Sequence, residues 1–314
     1  MSAADGVAEG SGRAAGGPAR RGARAFVGRP TTSPQDASTW SRSDVILNNL
    51  RSVRGRAYPR VRGLAREKSW LIFEILLPFL TTAAFVFVYR ALQAPQEYVG
   101  FVVLGGAMTA FWLNVIWMMA AQLYWEKDQG NLELYFAAPM NLMAVLFGMA
   151  LGGMVMSSTR ALIVLLIATL VFGVRFSVDQ WFLLLAVFAL TLAALYGLGM
   201  VLASLFLAWG REAWHLTQAL TEPVYFVSGL NFPVGRLGFI GALAIAFLPL
   251  AVGLDAMRQL AFAGSGVIHG TPPPEIEALI LVVMTIVFLL LARWSLAALE
   301  LRARRDGRLT VRWR

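Results

Sequence analysis

The chain has 314 residues, 58% of them hydrophobic and 14% charged, with a net charge of +9 and no cysteine. This is too little polar surface for a water-soluble domain, which sits nearer half apolar and a quarter charged. The missing cysteines exclude disulfides, thiolate catalysis and cysteine metal sites. The positive charge lies at the ends: of 27 Lys and Arg, 13 precede Trp70, six follow Leu299 and eight lie between. A nucleic-acid surface would gather its basic residues on a folded domain. Two basic ends around an apolar middle follow the positive-inside rule instead, with anionic headgroups as the nearest partner.

Residues 1–42 are rich in Gly, Ala, Ser, Arg and Pro without apolar periodicity, a composition that predicts a disordered cytoplasmic tail. Over residues 43–69, Val45, Ile46, Leu47, Leu50, Val53, Val61 and Leu64 are interleaved with six arginines. This pattern predicts a basic amphipathic helix on the membrane surface, broken near Pro59. Spans of about 20 apolar residues are predicted at 70–92, 98–122, 142–174, 181–208 and 276–299. The third is overlong: at 1.5 Å per residue it is about 50 Å, so roughly a third must lie outside a hydrocarbon core of about 30 Å. Within it, Gly148 and Gly152 make a small-residue step suited to close helix packing.

Between the second and third spans, residues 123–140 are polar. By alternation from a cytoplasmic N-terminus they are cytoplasmic, with Asn131 placed to cap a short helix that Pro139 ends. Residues 213–263 are ambiguous. Hydropathy favours a helix over 239–254, yet Pro233 and Pro249 punctuate this region, and 213–230 is the competing span. Both basic ends should be cytoplasmic, which requires an even number of crossings. Six satisfies it if only one of the two segments crosses. Residues 302–314 form a basic cytoplasmic tail.

The chemistry this chain lacks narrows its function. Neither of its two lysines, Lys68 and Lys127, sits in a glycine-rich phosphate loop, so the chain should not hydrolyse ATP. His215 and His269 fall in no ligand motif, and no metal or cofactor is expected. Among intramembrane polar residues, Glu74 and Arg160 would each cost a few kcal/mol unpaired at mid-bilayer. Glu74 can reach the headgroups or pair with Arg160, and Asn114 suits an interhelical hydrogen bond.

Two stretches resemble the permease subunits of ABC-2 type ABC exporters, over about residues 43–309. One is Glu126, Lys127, Gly130, Asn131, Leu132 and Glu133 followed by Pro139 and Gly148. The other is Ser228, Gly229, Phe232 and Pro233, then Pro249 and Arg258. The resemblance implies an all-α integral membrane protein with six transmembrane helices, a cytoplasmic coupling helix and an extracellular re-entrant hairpin. Residues 123–140, with Glu126, Lys127, Gly130, Leu132, Glu133 and Pro139, would couple to a separate ATP-binding subunit, which would hold the ATP and Mg. Residues 213–230 would be the fifth span and 238–254 the re-entrant segment. Two permease chains would pair in the plasma membrane and export an amphiphile such as a drug, lipid or glycan. The alternatives are a proton-coupled secondary transporter working through Glu74 and a membrane anchor without transport activity.

Overall fold

The structure is a computed structural model that describes residues 42–63, 68–132, 135, 141–209, 213–262 and 272–306. Its described elements are helical, apart from one isolated bridge between Ser177 and Phe262. The first helix, α1 (Arg42–Gly63), is followed by α2 (Lys68–Ala91) and α3 (Gln96–Leu113). A π-helical turn, Asn114–Ala120, joins α3 to α4 (Gln122–Asp128). Then come α5 (Leu142–Phe172), α6 (Trp181–Trp209), α7 (Ala213–Val227), α8 (Phe239–Phe247), α9 (Pro249–Ala261) and α10 (Pro274–Asp306).

Among the described residues, five rods are long and apolar enough to cross a membrane: α2, α3 through α4, α5, α6 and α10. The rod from α3 to α4 is the central column, 83% buried over its most apolar window, against 17% for α2 and 22% for α10. Large side chains such as Ile72, Phe73 and Leu77 on α2, and Leu279, Leu290 and Trp294 on α10, face outward. Such outward apolar faces suit lipid, which rewards no polar surface. The apolar core joins α3, the π turn, α5, α6, α9 and α10.

The ambiguous region resolves through its contacts. The Tyr89 hydroxyl, near the end of α2, donates to the Asn231 carbonyl at 3.0 Å. Arg236 donates to the Tyr98 hydroxyl, at the start of α3, at 3.3 Å. The Ser177 amide, just past α5, donates to the Ala261 carbonyl at 3.0 Å. Residues 231–236 and 261–262 therefore lie at the same end of the bundle, where α2 ends and α3 begins. The segment from α8 to α9 leaves that end and returns to it. Its two helices meet at 104°, because Pro249 has no amide to continue α8 and starts α9 instead. The single helix over 239–254 that hydropathy favours is therefore two helices, and the second continues to Ala261.

Helix α7 is the element that runs between the two ends. Its Leu220 packs with Ala120, Ala121 and Phe206 toward the end that carries α4. At 15 residues it is only about 22 Å long.

Two further expectations are corrected, and two fall on residues that are not described. Helix α1 continues through Pro59, so the predicted break is absent, although the Gly55 carbonyl loses its helical partner there. Helix α10 extends to Asp306, so the basic C-terminal segment begins inside a helix. Most of the short helix expected between Asn131 and Pro139 lies outside the described residues, though Leu132 and Tyr135 are helical. The tail expected over 1–42 lies outside them too, except for Arg42.

Candidate functional site: the arginine-lined junction of α1, α2, α4 and α5

Helix α1 does not simply lie on a surface. It runs along the first part of α5, and glycines set the closeness. A Cβ at Gly148 would stand 2.6 Å from the Val53 carbonyl oxygen, and one at Gly152 would stand 3.0 Å from that of Ala57. Only a bare backbone permits this approach. The overlong α5 thus projects beyond the start of α2 in order to hold α1. Arg90 near the end of α2 donates to the Phe172 carbonyl at the end of α5, so the two helices are level at their far ends and the excess lies at the near one.

Two arginines of α1 face the protein, while apolar side chains and Arg51, Arg54 and Arg62 are exposed. Ile46, Leu47, Leu50, Tyr58 and Val61 are exposed, while Arg56 and Arg60 turn toward the protein. Arg56 forms a close ion pair with Glu126 of α4 and stacks over the Tyr135 ring at 4.9 Å. Arg60 donates to the Met118 carbonyl at 2.6 Å and the Met149 carbonyl at 3.5 Å. Met118 lies in the π turn, where wider i→i+5 bonding redirects carbonyls. Met149 lies between Gly148 and Gly152, which leave its carbonyl uncovered. Burial, with Arg56 beside it, pushes Arg60 down to about 10, so it stays a cation at neutral pH. Burial also pushes the Tyr135 hydroxyl up to about 12. At the head of α1, the Asn49 side chain accepts from the Asn141 amide at 3.2 Å, while Asn141 caps α5 through the Met143 amide.

One turn deeper, Arg160 of α5 and Glu74 of α2 form a close ion pair, the Arg160 side chain 4% exposed and that of Glu74 20%. Of the two readings of Glu74, the structure shows the pair. Asn114 is buried and accepts from the Tyr196 hydroxyl of α6 at 3.0 Å. The three intramembrane polar candidates thus lie around one junction, and a cavity of about 350 Å³ opens between them, lined by Arg56, Arg60, Glu74, Asn114, Gln122 and Arg160 among others.

The residues expected to face an ATPase divide. Glu126 is 5% exposed, bonded to Arg56 and Gln122, so it turns inward rather than toward a partner. Burial of an unpaired carboxylate is costly, and Arg56 is its counter-charge. Leu132 is also buried in the core. Gly130 ends α4 in the left-handed region, φ 78°, with its amide on the Lys127 carbonyl and the Asn131 amide on that of Glu126. This is a glycine-dependent helix stop. Lys127 is partly exposed. Glu133 and Pro139 lie outside the described residues.

The second motif closes on itself at the opposite end of the bundle. Arg258 of α9 is buried and donates to four carbonyls: Gly229 at 2.7 Å, Phe232 at 3.1 Å, Leu230 at 2.9 Å and Phe101 of α3 at 2.9 Å. Gly229, at φ 67°, turns the chain so that residues 229–232 wrap the guanidinium. Pro233 then leads into a 3₁₀ turn, Val234–Leu237. The motif residues, about 30 positions apart in sequence, form one knot.

Sequence reasoning missed Arg56, Arg60, Tyr196 and the π turn. The two arginines carried a signal, since i and i+4 share a helix face, but the helix was read as lying on the membrane surface.

These elements define a multi-pass helical membrane protein in which α1, α4 and the spans α2 and α5 are joined by buried charge. The chain matches the ABC-2 type transporter family over residues 60–262 and belongs to it. Nearly all of α1 and the whole of α10 lie outside the matched residues. No curated protein matches the chain.

Proposed function

We propose that this chain is the permease subunit of an ATP-driven exporter, forming the path for an amphiphilic substrate and taking its power from a separate ATP-binding subunit. The observation that carries the reading is the membership of the ABC-2 family over residues that include the 123–132 loop and its anchorage. That loop is tied to α1 by Arg56 and Glu126, and α1 is seated on α5. Force applied near α4 would therefore reach a spanning helix through packed backbone rather than through a loose linker. Two such chains would pair, with their basic ends in the cytoplasm of the plasma membrane. The chain itself would do no covalent chemistry. Glu74 is engaged with Arg160, which weighs against a proton-coupled cycle built on that carboxylate.

With Glu126 turned inward, Glu133 carries the partner contact in this reading. Tagged chain purified from native membranes in mild detergent should bring down an ATPase, and Glu133→Arg should lose it while keeping a monodisperse elution profile. Purification of the wild type free of any ATPase would overturn the exporter reading.

A further inference from the structure

The cavity at the α1, α2 and α5 junction has a one-sided chemistry. Three arginines line it. Glu126 engages Arg56 and Glu74 engages Arg160. Arg60 reaches the Met118 and Met149 carbonyls, and among the described residues no carboxylate pairs with it. Among the described residues, one of the three arginines is therefore left without an ion-pair partner.

The hydrogen bonds are unbalanced in the same direction. Arg56 Nε, Arg160 Nε and Asn114 Nδ2 are buried donors without an acceptor among the described residues, all on residues that line the cavity. Arg160 and Asn114 are 3% and 1% exposed, so bulk water does not satisfy them. A buried unfilled donor costs about 1–3 kcal/mol. Three of them around an unmatched cation call for a guest that brings oxygen acceptors and negative charge.

We propose that this cavity is an oxyanion site for a phosphate-bearing ligand, held by Arg60 and by the free N–H groups of Arg56, Arg160 and Asn114. The same chemistry could be supplied by a lipid headgroup or by a soluble phosphate. Placement favours the headgroup. Gly63, the last residue of α1, and Leu71, in the first turn of α2, line the cavity. Ile72 and Phe73 beside them are exposed, as is the apolar face of α1. A lipid could lay its tails on those side chains and put its phosphate inside.

The test uses the full chain, purified alone in neutral detergent, so that its outcome does not depend on an ATPase. Thermal melts are followed against phosphatidylglycerol, phosphatidylcholine and sodium phosphate, each at matched ionic strength. The expected result is saturable stabilisation by phosphatidylglycerol, with apparent affinity lowered about 10-fold or more in Arg60→Gln, or about 1.4 kcal/mol. Arg54→Gln, exposed on the same helix, should stay within about twofold of wild type. Asn114→Asp keeps an acceptor for Tyr196 and sets a carboxylate among the donors, so it should weaken binding as Arg60→Gln does. Stabilisation by sodium phosphate alone, lost in Arg60→Gln, would support the site and assign it to a soluble ligand. Equal losses in Arg54→Gln and Arg60→Gln would reduce the effect to surface charge and overturn the proposal. So would wild-type binding by Asn114→Asp, or the absence of stabilisation by either phosphate source.

Discussion

Arg56 and Glu126 form the clamp between α1 and α4. Arg56 keeps 30% of its side chain exposed and Glu126 only 7%, so losing the arginine strands a buried carboxylate. Double-mutant cycles with Arg56→Gln and Glu126→Gln should give a coupling of about 1–2 kcal/mol in detergent melts, with Arg56→Gln the costlier single change. Additive losses would show that the pair is not formed. Glu74 and Arg160 lie deeper, and the same cycle with Glu74→Gln and Arg160→Gln should give a coupling at least as large, because less solvent screens it. Arg258 differs from both, since its partners are carbonyls. Arg258→Lys offers three donors where four bonds exist and should cost about 2 kcal/mol. Arg258→Met strands all four carbonyls and should cost about 3–5 kcal/mol, read as loss of monodisperse protein on gel filtration.

The elements show what the sequence could and could not reveal. The long spans were legible because each is a run of apolar residues that only lipid accommodates, and the excess length of α5 was legible by arithmetic. The direction of α1 was not. A period of apolar and basic residues fixes that a helix has two faces but not which one meets protein, and here Arg56 and Arg60 turn inward because Glu126 and two uncovered carbonyls await them. The π turn left no trace in the sequence, since one extra residue per turn alters no composition. Pro59 misled, because helix breaking depends on what surrounds the lost bond, whereas Pro249 acted as expected by opening α9. The knot around Arg258 was legible only as a resemblance between motifs, and the structure supplies its cause. At this scale, Gly152→Leu should force α1 away from α5. As the chain has no native cysteine, paired spin labels at Ala57→Cys and Thr159→Cys would be unique, and their distance should lengthen by several ångströms in the Gly152→Leu background.

Across the whole molecule, two clusters of buried polarity divide the labour of holding the fold. One, around Arg258, ties the returning hairpin of α8 and α9 to the start of α3. The other, around Arg60 and Arg160, ties the surface helix and the loop after α4 to the spans α2 and α5. Between them lies an apolar core with the Asn114–Tyr196 hydrogen bond near its basic side. The two clusters share no residue, so their effects should add. Arg258→Lys combined with Arg56→Gln should lower stability by the sum of the separate losses, within about 0.5 kcal/mol.

The seating of α1 also has a mechanical side. Three attachments fix it: Asn49 at its head, Arg56 in its middle and Arg60 near its foot, with glycines beneath. A helix fastened at three points cannot slide or roll on its support without breaking at least one of them. Its opposite flank, from Ile46 to Val61, carries the apolar side chains suited to the boundary between headgroups and acyl chains. Any swing of the loop after α4 must therefore drag a keel through lipid. The speed of that swing is set jointly by protein and bilayer, and a stiffer, more tightly packed leaflet should slow it even where every residue of the protein is unchanged.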